Sequence, residues 1–427
     1  MPSSPVSSSA ASFPEHPKNP ASWVQQSEAA VSAAVEQLYN TYPFPPDPLL
    51  DEPPPGYNWR WYWPAAYSFC SGRLSEHNAV RILDAGCGTG VGTDYLAHLN
   101  PEATVVAIDL SPGAIAVATD RLRRSGGHNV SFQALSIYDV AQIPGEFDLI
   151  NCVGVLHHMP DPIRGIQALA TQLKPGGLLH IFVYGELGRW EIQLMQEAIA
   201  LLQADQRGNY TDGVQIGREL FAKLSDTNRL VQYEKTYWAA ENTRDECFAD
   251  MYVHPQETDY NIKTLFELID ASGLEFVGFS NPEAWSLERL LGQAPELMAR
   301  AASLGERDRY RLIELLNPHV PHYEFFLARP PLDRSTWEND TEIKAATIQR
   351  NPCMHGWPSR SLLNQDYHPA TISEAGFEFL KAAETAATGT TVGQIIETVP
   401  TPLEEIRQLW QQRMIFLGLS ADRTGPG

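Results

Sequence analysis

The chain has 427 residues, 43% hydrophobic and 19% charged, which is ample for a core and too long for one small domain. Its formal net charge is −21, with no run of Lys and Arg, so neither nucleic acid nor an anionic membrane is expected as a partner. The five cysteines are scattered and form no CxxC pair, which points away from zinc and disulfides and towards free thiols in a reducing cytoplasm.

Residues 1–28 begin "MPSSPVSSSAASFPEHPKNP", with no basic and apolar segments of a secretory signal, and read as a disordered leader. Residues 29–79 hold a helix over Ala29–Leu38 and then "YNTYPFPPDPLLDEPPPGYNWRWYWPAAYSF". Its prolines forbid regular structure, and its aromatics need burial, so it reads as a strap over the next domain or as a substrate lip.

From Val80 strands and helices alternate. "VRILDAG", "TVVAIDL", "NVSFQALSI", "FDLINCVGV" and "LLHIFVYG" read as strands, "GTDYLAHLN", "SPGAIAVATDRLRRSG" and "IRGIQALATQL" as helices, and "KPGG" as a helix stop. "LEFVGFS" and "HYEFFLAR" complete seven strands, the last two read as antiparallel neighbours. The expected fold is α/β: a mostly parallel, Rossmann-like seven-stranded sheet spanning 80–330. Helical insertions at about 187–259 and 281–317 are both placed to lid the same edge. After Pro330-Pro331, residues 331–427 read as three helices and a strand, a small, mostly helical, winged-helix-like domain. With 8 Lys and Arg against 12 Asp and Glu, docking or regulation suits it better than DNA.

The chemistry starts at "ILDAGCGTGVGTDYLA", Ile82 to Ala97. Glycines between a strand and a helix let the backbone approach a ligand. A dinucleotide fingerprint is GxGxxG, but here Val91 stands where its third glycine belongs. Asp84, ahead of the loop, adds like charge to a pyrophosphate and suits a ligand with an ammonium group. The stretch resembles the first motif of class I methyltransferases, an acid two places before GxGxG: Asp84, Gly86, Gly88, Gly90. That resemblance covers Val80 to Arg329, interrupted by the insertions.

The resemblance implies S-adenosylmethionine as cofactor. Asp84, Gly86, Cys87, Gly88 and Gly90 would surround its amino-acid end, and Asp109 would accept the ribose hydroxyls, with Leu110 beside it. Ser136 and Ile137 would meet the adenine; many relatives have Asp where Ser136 stands. Cys152, in the fourth strand, would lie beside the methionine part. No metal is expected.

Methyl transfer from a sulfonium needs alignment first, and a base where the nucleophile must lose a proton. His157, His158, Tyr184 and His254 are the catalytic candidates; Glu186, Asp250 and Tyr252 are further substrate-site candidates. No Asn-Pro-Pro-Tyr or Asp-Pro-Pro-Tyr, the usual amide and adenine N-methyltransferase signature, follows the fourth strand.

"YNWRWYWPAAYSF", "GVLHHMPDP", "GRWEIQLMQEAI" and "HYEFFLARPPL" are similar to a cyanobacterial group of methyltransferases. That resemblance implies a protein substrate, the asparagine amide of a phycobiliprotein β-subunit. A small-molecule O-, N- or C-methyltransferase, a nicotinamide oxidoreductase on a similar sheet and a non-catalytic cofactor-binding scaffold remain open.

Overall fold

A computed structural model describes residues 27–419; the leader reading for 1–26 and the last residues, 420–427, lie outside them. Among the described residues no helix is long and apolar enough to cross a membrane.

The central sheet holds β1 (Arg81–Ala85), β2 (Thr104–Asp109), β3 (Val130–Ala134), β4 (Phe147–Val153), β5 (Leu173–Tyr184), β6 (Glu275–Phe279) and β7 (His322–Ala328). Their order is β3-β2-β1-β4-β5-β7-β6, with β7 antiparallel to both neighbours. It is the seven-stranded, mostly parallel, Rossmann-like sheet expected. Strands such as β4, buried along nearly its whole length, carry near-continuous apolar runs because helices cover both faces. One face packs Leu83, Ile150, Ile181, Phe266 and Phe325; the other packs Ile82, Leu149, Phe326 and the strap tryptophans Trp59 and Trp63.

One boundary differs from the sequence reading. "KPGG" is not a helix stop but the start of β5, which pairs with β4 from Phe147↔Leu173. A register shift between Phe147 and Leu149 takes up the irregularity, the kind of place a strand tolerates Pro and Gly.

The strap lies over the glycine loop. Phe44 and Pro45 carbonyls accept from the Thr89 N–H and hydroxyl, and Arg121 donates to the Asp47, Pro48 and Thr89 carbonyls. The N-terminal helix Glu28–Thr41 packs Leu38 among Ile192, Met195, Tyr210 and Phe248 of the first insertion.

The second insertion departs from the lid expectation. Its helices build a small cluster around Leu287, Ala301 and Ile313, against Trp285 and Tyr310 at the β6–β7 edge. Glu314 accepts from the Ile262 N–H there, so the segment braces the helix Ile262–Ser272.

Residues 331–419 hold four helices, as well as strands β8 (Thr347–Arg350), β9 (Ser361–Leu363), β10 (Pro369–Thr371) and β11 (Ile415–Gly418). β11 pairs with β8 and β9 with β10, both antiparallel. Three of these strands escaped the sequence reading because three or four residues carry no alternation to detect. The helices have their own core, and Trp59 Nε1 donates to Asp366 at 2.8 Å, linking this region to the strap.

Candidate active site

The strand ends of β1, β2, β4 and β5 open into a cavity of about 450 Å³, within the range of small-molecule sites. Asp84, Asp109, Asn151 and Tyr184 line it from the sheet, Trp61 from the strap, and Asp250 from the insertion.

The glycine loop is bare for protein neighbours. Gly86, Gly88 and Gly90 have φ of +85°, +52° and +82°, which a side chain rarely adopts. A Cβ on Gly86 would lie 2.4 Å from Val155 Cγ2, and one on Gly88 2.5 Å from the Phe44 carbonyl. A Cβ on Gly90 would meet Ala118 at 2.7 Å, and Gly90 is absent from the cavity wall. The expectation that Gly90 touches the cofactor is therefore corrected: it permits close packing of two helices. The loop N–H groups are also committed. Those of Gly86 and Cys87 bond the Ile108 carbonyl, Gly88 bonds Asp109, Thr89 bonds Phe44 and Gly90 bonds Cys87. A pyrophosphate needs such donors free, so the geometry speaks against a dinucleotide.

Carboxylates dominate this end of the cavity. Asp109 Oδ2 accepts from the Gly88 N–H at 2.8 Å and Oδ1 from the Ser111 N–H at 2.9 Å, leaving lone pairs for a ligand's hydroxyls. Burial raises its pKa, against those backbone hydrogen bonds. Asp84 accepts from Thr93 Oγ1 at 2.6 Å and from Asn151 Nδ2 at 2.9 Å. The Asn151 Oδ1 accepts from Trp61 Nε1 and from His180 Nδ1, and His180 Nε2 reaches Glu324 on β7. Glu324 in turn pairs with Arg60 at 2.7 Å. A polar chain thus crosses the sheet from the first motif to the strap. Leu110, Ser136 and Ile137 also line the cavity, and Ser136 Oγ caps the turn Ile137–Gln142. Cys87 lines it too, whereas Cys152 is fully buried in the core and does not. Strand alternation sends Asn151 and Val153 to the cavity and Cys152 away, which corrects that assignment.

The far end collects the candidate catalytic groups. Asp250 accepts from the Tyr39 hydroxyl at 3.0 Å and the Tyr184 hydroxyl at 3.5 Å. Burial lifts its pKa to about 6, against the lowering influence of Tyr39, Arg189 and Tyr184. His158 Nδ1 lies 2.9 Å from the Gln256 carbonyl, so Nδ1 carries the proton and Nε2 the lone pair. Burial pushes its pKa down to about 3. The His254 ring stacks on His158 at 3.7 Å, and its Nδ1 accepts from the Gln256 N–H at 3.1 Å. His157 sits behind, fully buried, with its ring 3.9 Å from that of Tyr184. His158 and Tyr184 reach the cavity wall, whereas His157 and His254 lie behind it.

His158, Asp250 and His254 bring one donor atom each within 4.8 Å of one another. They are short of a metal's requirement, because the His254 Nδ1 lone pair is taken and its Nε2 then carries the proton. Glu186 accepts from the Asn261 amide, and the Tyr252 hydroxyl donates to the Glu234 carboxylate; neither residue lines the cavity. Arg189, which the sequence reading passed over, lines the cavity with its guanidinium 3.5 Å from the Tyr184 ring centre. It donates to both Glu257 oxygens and faces Asp259.

The sheet order and a carboxylate-lined cavity at the strand ends define a class I methyltransferase. A methyltransferase-domain family profile matches residues 83–179. An uncharacterized protein of Synechococcus sp. is 55% identical over 390 residues, covering 91% of this chain and 94% of that one. The uncharacterized phycocyanin operon protein W of Pseudanabaena tenuis is 69% identical over 99 residues, 23% of this chain and 93% of that one. Among solved structures, PKMT2 of Rickettsia typhi in complex with AdoHcy has a TM-score of 0.59 at 17% identity, covering 86% of this chain and 77% of that one, a likeness of fold. The chain belongs to the class I S-adenosylmethionine-dependent methyltransferases, and S-adenosylmethionine is its cofactor.

Proposed function

We propose that this methyltransferase acts in the cytoplasm on a protein side chain, the asparagine amide of a phycobiliprotein β-subunit. The observation that carries the reading is the single cavity joining the two aspartates at the glycine loop to the Asp250–Tyr184–His158 group beneath the insertion. The donor set fits the cofactor. Asp84 and the Asn151 beside it suit the amino-acid end, Asp109 the ribose diol, and Leu110, Ser136 and Ile137 the adenine, with Gly86, Cys87 and Gly88 as the floor. S-adenosylmethionine supplies a methyl group already activated on a sulfonium.

The chain's own residues then hold the acceptor in line and keep water out. Tyr184 and His158 face the acceptor. His157 and His254 pack behind them and hold their rings in place. An amide nitrogen is a weak nucleophile, because its lone pair is delocalised into the carbonyl, so the site must polarise the carbonyl or take the N–H proton. The relative from a phycocyanin operon supports the choice of target.

The test is to incubate the purified enzyme with methyl-labelled cofactor and lysate of a strain lacking it. Label mapped to asparagine of a phycobiliprotein is expected. Label in a small-molecule fraction alone refutes the protein target.

A further inference from the structure

We propose that Asp250, held between the Tyr39 and Tyr184 hydroxyls, takes the proton that the acceptor amide loses during methyl transfer. This rests on the proposed amide acceptor and names the base that such an acceptor requires.

The geometry makes Asp250 unlike the other acids of the cavity. Asp84 and Asp109 are tied to the glycine loop and its helix. Asp250 comes from the helix Asp245–Tyr252, Tyr39 from the N-terminal helix and Tyr184 from the end of β5, so three distant segments meet at one carboxylate. It is 6% exposed and lines the cavity. Each of its oxygens accepts one tyrosine hydroxyl, which leaves lone pairs for a proton from the cavity side. A buried carboxylate with a purely structural role is normally paired with a cation. Arg189 is the neighbouring cation, and its guanidinium is bonded to Glu257.

The histidines compete poorly. Burial holds His158 at about 3 and lowers His157 and His254 well below the ordinary value, so none of them readily holds a proton near neutral pH. Asp250 is ionised at that pH yet basic enough to accept one, which is where a general base works best. The groups facing it are Tyr39, Tyr184, Arg189, His158, His254 and Cys247.

The transfer balances in charge. The amide nitrogen's lone pair forms the bond to the methyl carbon, the carbon–sulfur pair leaves with sulfur, and the N–H proton passes to Asp250. Sulfonium and carboxylate charges disappear together, giving a thioether, a carboxylic acid and a neutral N-methyl amide.

Two measurements test this. The first follows the Asp250 carboxyl by carbon NMR of aspartate-labelled enzyme bound to S-adenosylhomocysteine, with Asp250→Asn for assignment. A midpoint near 6 is expected. Tyr39→Phe should move it upward, since the lost hydroxyl favoured the charged form. A midpoint below about 4.5, the ordinary carboxylate range, overturns the proposal.

The second uses phycocyanin purified from a strain lacking the enzyme. Asp250→Asn should lose about 100- to 10,000-fold in kcat, while S-adenosylhomocysteine affinity stays within about threefold. A kcat within about threefold of the parent overturns the proposal. Should the parent enzyme leave phycocyanin unlabelled, the choice of acceptor fails; a midpoint near 6 then still supports a base at Asp250 for another acceptor, and one below about 4.5 overturns it.

Discussion

Replacing Asp109 by alanine separates what the carboxylate does for the ligand from what it does for the loop. Its oxygens accept from the Gly88 and Ser111 N–H groups at 2.8 and 2.9 Å, and their remaining lone pairs face the cavity. A hydrogen bond to a charged acceptor contributes about 1.5–3 kcal/mol. Two ribose hydroxyls then account for about 3–6 kcal/mol, or about 150- to 20,000-fold in affinity. Calorimetric titration with S-adenosylhomocysteine measures the loss. The same titration with a ligand lacking the 2′- and 3′-hydroxyls isolates the ribose contribution, because Asp109→Ala should cost that ligand almost nothing. Acidification acts in the same direction. Burial raises the Asp109 pKa, so the ionised acceptor, present above that pKa, is lost as pH falls through it, and binding should weaken earlier than an ordinary aspartate would predict. An equal loss for both ligands would refute the ribose assignment and leave Asp109 as a brace for the loop.

Gly88→Ala should weaken S-adenosylhomocysteine binding by about tenfold and lower the melting temperature, since its Cβ would sit 2.5 Å from the Phe44 carbonyl and strain a φ of +52°; unchanged calorimetry would show that the strap yields freely. Arg189→Met removes the cation facing Glu257 and Asp259 from a site only 2% exposed, at a cost of about 3–5 kcal/mol. Differential scanning calorimetry should show a melting temperature lower by roughly 5 °C or more. Cys152→Ser should leave cofactor affinity unchanged while destabilising the core by about 1–3 kcal/mol, because a buried hydroxyl replaces a thiol in an apolar cluster; a fall in affinity without a fall in stability would return Cys152 to the cofactor site.

The seven strands were legible in the sequence because sheet burial is local in its consequences: the inner strands, such as β1, β2 and β4, must be apolar along nearly their whole length, and helix signals follow β1, β2 and β4 directly. Asp84 and the glycines were legible for the same reason, since a strand–loop–helix turn is written in consecutive residues. What each glycine faces was not. Gly90 answers to Ala118, and Gly88 to Phe44 of the strap, over forty residues upstream, so only the folded chain reveals the neighbour. Alternation within β4 decided between Asn151 and Cys152, once the position of the cavity was known. The catalytic end was the least legible. Tyr39, Tyr184 and Asp250 lie on three separate elements, and His158 is set apart from His157 by its hydrogen bond to Gln256 and its place on the cavity wall. A pKa depends on what surrounds a group in space, and a carboxylate buried under two hydroxyls is spelled in the sequence like any other aspartate.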